Sequence, residues 1–568
     1  MVRELGILAD LQTAEFIMEN DNVTVGFDAT TQEHIHINSI HFTSDKGCMS
    51  AAVDELPGGT AVDYSLHISS TLNYLVEVFI NFHPNFNFSD TRNSMIQNIR
   101  NSMTDRCPAN HATIQILNSE WGVTLNELNC NLHPLDAIAS KVKATIKSLE
   151  KRNSKLLGPD CMAVNLITQI NKLRYKNGKG DPKGFVLFLK QRSLPNNLLP
   201  RYRGNRLHVL FHIAGKLLEH EDQFSSYFKT GTACGGLRNA ICIDFSNEYV
   251  KTQLHVLAIF GKLLTGPWMM KFYTNSKDSI DYVDSIKSIK EVILNMKKIL
   301  EMPGQLIKST KDFFGENIPL DSTIQSLHQR KILCTDIFEE YISQCIYSII
   351  SVLEKQYHKI FSIDITKKFS EETASARLHN MDAEELIGMF SQLKKKSPRS
   401  TIDYISCKMR AAKNRTFDFI NNKNLETQDT FINISRQLAR LHKLNKSEET
   451  AKEMMKRKIQ KETSSNDKLR KKIEKKIKSK SLEDALALVN HTNINKSLAN
   501  DILSGKIVGR KGSHLWMEEH ELILFNYKIE SFDSSTNEYT IAFWYPNGTY
   551  EDATDYQISP ISMCADLL

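Results

Sequence analysis

Two hydrophobic periods alternate along the first third of the chain. LGILADLQTAEFIMEN (5–20) puts Leu5, Leu8, Leu11, Phe16 and Ile17 at helical spacing, which predicts an amphipathic helix. NVTVGFDA (22–29) is β-branched, and HIHINSIHF (34–42) alternates Ile35, Ile37 and Ile40 with polar residues. Two strands in a hairpin are expected there. A helix over 61–82 follows the Pro-Gly-Gly break at 57–59. A short strand ending near 103, a turn and a further helix come next. The order strand, strand, helix, strand, helix predicts an α/β layer around a mixed sheet.

Helical periods then dominate, at 137–151, 161–175, 207–219, 249–264, 279–302 and 335–361. In the fifth, Ile286, Ile289, Ile293, Met296 and Leu300 recur at three and four, a core-facing stripe. Residues 378–421 give two more helices, split where Pro398 breaks the pattern. Residues 429–487 are Lys-rich and poor in aromatics, and read as an extended helix, coiled coil or partly disordered arm. From about 505 short strands return. Tyr539, Ile541, Phe543 and Tyr545 alternate with their neighbours, and tight turns flank them, which predicts a small β-barrel.

Composition adds little until charge is mapped. The 568 residues, 41% hydrophobic and 24% charged, suit roughly three to four globular domains. The longest apolar stretch, 254–270, is interrupted by Lys262, so no membrane partner is expected. The N-terminus has the features of no secretion signal. The ten cysteines are scattered without a C-x-x-C pair, which suits a reducing, intracellular compartment. The net charge is +6, but 441–480 hold 15 Lys/Arg against 6 Asp/Glu, leaving the rest of the chain slightly acidic. Such a block suggests a polyanion contact; a solvated helix face or a nuclear import signal would look the same.

Asp28, within VGFDATT, is out of place in a strand, where a carboxylate is disfavoured and costly to bury unpaired. It could cap the turn into the next strand. Asp105, in SMTDRCPANHATIQ, repeats the puzzle at the end of another strand. Two such acids on strands of one layer can meet. Paired carboxylates bind Mg²⁺ (or Mn²⁺) for phosphoryl transfer, given a third carboxylate to hold a second ion.

The order VGFDATT, TDRCPANHATIQILN, CNLHPLDAIASKV resembles the catalytic core of DDE transposases of the hAT and P-element-like group. The resemblance spans roughly 5–421. It implies an RNase H-like mixed sheet interrupted by a large all-helical insertion. It also implies an Asn soon after the second Asp (Asn110) and a C-x-x-H pair (Cys130, His133). The corresponding domains are 1–136 and 371–428 for the core, 137–370 for the insertion, 429–500 for the basic arm and 505–568 for the barrel. HNMDAEELIGMF (379–390) is similar to the helix that supplies the last acid. Glu385 shares a helix face with Met381 and Met389, expected to pack on the sheet, so Glu385 is the expected third ligand and Glu384 the reserve.

Cys130 and His133 supply two zinc ligands of four, or form a structural pair. Arg201, Arg203 and Arg206 could fork onto phosphate oxygens. Lys394, Lys395, Lys396, Lys408, Arg410, Lys413 and Arg415 would lay positive charge beside the acids, where a DNA backbone would pass. The C-terminal module resembles a Tudor or chromo-type barrel, with Trp516, Tyr527, Phe543 and Tyr545 as walls of a cage for methyl-lysine, such as a histone peptide, or as core aromatics. The resembled enzymes usually carry a DNA-binding domain ahead of the core, but here the first strand starts near residue 22. The chain is expected to be truncated, domesticated, or to read DNA elsewhere. The resemblance thus implies a nuclear, transposase-derived DNA-cleaving and strand-transfer protein; a homo-oligomer is a further expectation. The alternative is a domesticated, non-catalytic chromatin or DNA-binding protein.

Overall fold

The computed structural model describes the chain except for residues 33, 154–159, 205, 230–235, 274–279, 333–334, 493–494, 519–520 and 563–568. Cys234, Cys334 and Cys564 therefore lie outside the described residues. The chain divides into two compact units, Met1–Glu449 and Thr450–Leu568.

The first unit opens with α1 (Val2–Met18), then β1 (Val23–Gln32), β2 (Ile35–Ser44) and β3 (Gly47–Leu56). These are followed by α2 (Ala61–Phe82), α3 (Phe88–Asn98), β4 (Ile99–Thr104), α4 (Pro108–Trp121) and β5 (Asn126–Asn129). The helix expected over 61–82 has those bounds because Thr60 and Asp63 form a capping box after the Gly turn. The strands form one five-stranded sheet in the order β3-β2-β1-β4-β5. β1, β2 and β3 pair antiparallel; β4 and β5 run parallel to β1. The sequence reading missed β3 and β5. GCMSAAVDEL offers small residues instead of a β-branched run, and NELN is too short and polar to show alternation.

Alternation along β1 sorts the two faces of the sheet. Val23, Val25 and Phe27 enter a core built with α1, α2, α3 and α4. Thr24, Gly26 and Asp28 fall on the opposite face. There α17 (Met381–Lys396) and α18 (Ile402–Lys413) pack through Leu386, Phe390, Ile405 and Met409 against Ile37 and Val53.

Between β5 and α17 lies a helical insertion. Its first helices are α5 (Pro134–Asn153), α6 (Met162–Lys172), α7 (Pro182–Gln191), α8 (Val209–Glu219), α9 (Glu221–Lys229) and α10 (Gly236–Ser246). They are followed by α11 (Glu248–Phe260), α12 (Gly266–Tyr273), α13 (Tyr282–Ile299), α14 (Ser322–Gln329), α15 (Thr335–Phe361) and α16 (Lys367–Thr373). Ile286, Ile289, Ile293 and Met296 of α13 are buried, as their spacing predicts. α11 passes into α12 through a π-helical turn, Gly261–Thr265. After α18, α19 (Thr416–Asn421) precedes α20 (Leu425–Thr492), a single long helix within which the unit boundary falls.

The second unit holds α21 (Lys496–Leu503), β6 (Lys511–Glu518), β7 (Glu521–Asp533), β8 (Glu538–Trp544) and β9 (Thr554–Ile558), and α21 packs on β7, β8 and β9. These strands form an antiparallel sheet in sequential order. The expected barrel is not closed: no pairing joins β6 to β9 among the described residues, so this module is an open sheet. No described helix is long and apolar enough to cross a membrane.

Candidate functional site

Gly26 on β1 pairs with Met103 on the parallel β4. Asp28 and Asp105 each lie two residues further along, so the register sets them side by side, Asp28 midway along β1 and Asp105 just past the end of β4. Neighbouring strands are about 4.8 Å apart, close enough for the charges to interact. Burial first, and then the Asp105 charge, push the Asp28 carboxyl up to about 6; Glu384 adds to the rise, while the Ala29 N–H and His133 oppose it. Asp28 Oδ1 accepts the Ala29 N–H at 2.9 Å, the local turn bond that a capping Asp would also make. Asp105 Oδ1 accepts the Cys107 N–H at 3.1 Å and an Nδ2–H of Asn110, so the start of α4 fixes its orientation.

Of the two glutamates, Glu384 is the one whose charge reaches Asp28, and Glu385 faces Lys413 instead. The packed stripe of α17 is Asp382, Ala383, Leu386 and Phe390; Met381 and Met389 lie beside it and are only half-buried. The side chain of Glu385 is 54% exposed and pairs with Lys413, whereas that of Glu384 is 33% exposed and lies 3.8 Å from His133 Nε2. The stripe was visible in the sequence as Ala383, Leu386 and Phe390 at spacings of three and four.

His133 opens α5 after the buried Cys130. Burial alone would lower the imidazole, but Cys130, Asp105 and Glu384 lift it to about 9. The Cys130, Asp105 and Glu384 neighbours thus favour the protonated imidazole beside the acids. The insertion holds this loop in place. Trp268 Nε1 donates to the Asn131 carbonyl at 2.6 Å, Tyr357 donates to Asn131 Oδ1 at 2.9 Å, and the Asn129 N–H reaches the Tyr282 hydroxyl at 3.0 Å. Arg106 donates to the Cys130 carbonyl at 2.9 Å and lies 4.4 Å from the Tyr357 ring centre.

A buried polar network, which gave no signal in the sequence, seats α17 on the sheet. Asn380 Nδ2 donates to the Phe27 carbonyl at 3.0 Å, next to Asp28. Arg377 holds Asp382 with bonds of 2.7 and 2.8 Å. Burial pulls the nearby His41 imidazole down to about 4 despite Asp382. Gly26 permits this approach, since a Cβ there would run into the His41 ring.

The other expected site residues are dispersed. Arg201, Arg203 and Arg206 are exposed on the irregular segment before α8. Lys394 donates to the Ser400 carbonyl; Lys395, Lys396, Lys408 and Arg415 are exposed. Arg410 is a correction: it is buried against Asp10 of α1 and cannot touch DNA. In the second unit, Trp516 packs against Phe543 (5.3 Å between centroids) and Tyr556 (5.4 Å), and Tyr527 lies 5.9 Å from Phe543. Tyr545 turns to Phe525 instead (4.7 Å), and Tyr556 is the ring beside Trp516 and Phe543. A cleft of about 860 Å³ in the insertion, beside the π-helical turn, is lined by none of these acids. Among the described residues, no group of three or more His, Cys, Asp or Glu side chains is arranged to hold a metal ion. No protein-family model matches this chain, and no curated protein matches it by sequence.

The raised Asp28 carboxyl has a pH signature. Unfolded, it titrates near 3.8; folded, near 6. Between these values the folded state binds more protons, so stability is highest below the unfolded value and falls as pH rises through the folded one. Asp28→Asn should raise metal-free stability at pH 7 by about 1–3 kcal/mol and change it little at pH 3.5. Urea unfolding midpoints across that range check this; an equal shift at both pH values would refute it.

Proposed function

We propose that this chain is a transposase-derived DNA-binding protein, acting in the nucleus, with an RNase H-like core that cleaves and transfers DNA strands. The coupling of Asp28 to Asp105 and Glu384 carries the reading. The strand order, the helical insertion after β5 and the return of the chain through α17 support it. Three hard-oxygen donors with surplus negative charge suit Mg²⁺ or Mn²⁺. When bound, the metal supplies activation of the attacking oxygen and stabilisation of the leaving one. The chain's own part is to orient Asp105 through Asn110, to seat Glu384 through Asn380 and Arg377, and to offset the acids with His133. The full chain incubated with duplex DNA and Mg²⁺ is expected to nick or cut it, and EDTA to stop the reaction. Absence of any metal-dependent cleavage would overturn the reading.

One observation favours a second reading, in which the protein binds DNA or chromatin without cutting: the acids are not arranged to hold a metal ion as they stand. That function would use the arm, where Lys468, Arg470, Lys471 and Lys472 are exposed, and the aromatic cluster around Trp516. Changing those four cations to Gln should flatten the slope of log affinity against log salt by about one unit per lost phosphate contact. An unchanged slope would remove the arm from the interface.

A further inference from the structure

Beside Glu384 lies a cavity of about 590 Å³ lined by Arg377, Asp382, Glu384 and Glu385. Next to it is a second, of about 500 Å³, lined by Lys46, Arg377, Lys413 and Arg415 with Asp382 and Glu385. Arg377, Asp382 and Glu385 line both, so the two cavities adjoin at these side chains. The second brings four cations against two carboxylates. Lys46 sits on the exposed β2–β3 turn, and Arg415 is exposed at the start of α19. Asp382 is committed to Arg377 by both of its oxygens. Glu385 pairs with Lys413 at the junction of the two cavities, although half of its side chain faces solvent.

We propose that the second cavity is a subsite for a backbone phosphate of the DNA strand entering the acid site, and that Glu385 is its built-in competitor. This rests on the nucleic-acid reading above. A carboxylate on Lys413 presents oxygens where a phosphodiester would present its own, and charged hydrogen bonds to either are of the same kind. An arriving phosphate displaces Glu385 from Lys413 and gains Lys46 and Arg415. Glu385 is then a latch on the DNA path, a role opposite in sign to metal binding.

The test is salt-dependent binding of duplex DNA to the full-length chain, metal-free, with three variants. Glu385→Gln should tighten binding about two- to fivefold, the range expected when a partly exposed ion pair is removed. Lys46→Gln and Arg415→Asn should each weaken binding and lower the salt slope by about one; Asn suits the left-handed backbone at Arg415 (φ 55°). Unchanged or weaker binding by Glu385→Gln, or unchanged slopes for both cation variants, would overturn the subsite while leaving the DNA reading intact. No salt-dependent binding by the parent chain would overturn both.

Discussion

Replacing Glu384 with glutamine is expected to lower Mg²⁺-dependent cleavage by about two to three orders of magnitude. Glutamine keeps the shape and one acceptor oxygen but removes the charge that a hard cation requires. A metal acting as a Lewis acid supplies several kcal/mol of transition-state stabilisation, and each 1.4 kcal/mol is about a factor of ten in rate. A second signal, independent of turnover, accompanies the loss. Glu384 is one of the charges that hold Asp28 up. In Glu384→Gln the Asp28 carboxyl should therefore come down slightly, while burial and Asp105 keep it raised. The pH window over which metal-free stability is lost should then move to lower pH. Glu385→Gln is the comparison, and it should act on DNA affinity. If instead Glu385→Gln removes cleavage and Glu384→Gln does not, the assignment of the third acid is wrong. If Glu384→Gln leaves the stability–pH curve in place, the two carboxylates are not coupled.

The difference between those two glutamates shows how far a sequence pattern reaches. Periodicity gave α17 its existence and its ends, since Pro398 and the Lys run close it. It gave the face only to within one position. Ala383, Leu386 and Phe390 and the pair Met381 and Met389 are both apolar sets at helical spacing. Which set is buried depends on Ile37 and Val53 across the interface. The β1–β2 hairpin was legible because both segments mix isoleucine, valine and phenylalanine with polar residues around a turn, although Ile35 and Ile37 face one side of the sheet and Ile40 the other. β3 was not, because a strand flanked by helices on both faces can be built from Ala, Ser and Gly where the helices approach closely. The C-terminal strands were legible by alternation, but closure is a pairing between first and last strands that no local pattern encodes. Asp28 and Asp105 drew notice because one sits inside and the other just after strand-like sequence, and their strands β1 and β4 are neighbours. His41, Arg377, Asn380 and Asp382 were invisible because their partners are distant in sequence and each, read alone, is an ordinary polar residue.

Arg410→Met should destabilise the first unit by about 3–5 kcal/mol and leave the salt slope of DNA binding unchanged. In the sequence Arg410 belongs to a run of cations with Lys408, Lys413 and Arg415, and nothing local separates it from them. In the fold its side chain is 5% exposed and pairs with Asp10, whose side chain is 2% exposed. Burial pulls the guanidinium down to about 10, yet it stays charged at neutral pH. Removing it leaves a carboxylate buried between α1 and α18 without its counter-charge. The same interface carries the Arg3–Asp403 pair at 2.8 Å and the bonds of Asn414 to Ser50 and Thr13. Loosening it would propagate to β3 and to the phosphate subsite. The double change Asp10→Leu with Arg410→Met should recover most of the loss, because replacing both charges by apolar groups of similar size removes the unpaired ion. Chemical unfolding of the parent, both single variants and the double variant gives the coupling directly. Additive losses would mean that the two side chains do not share a buried pair. A salt slope reduced in Arg410→Met while Arg415→Asn leaves it unchanged would return Arg410 to the DNA surface and take Arg415 off it.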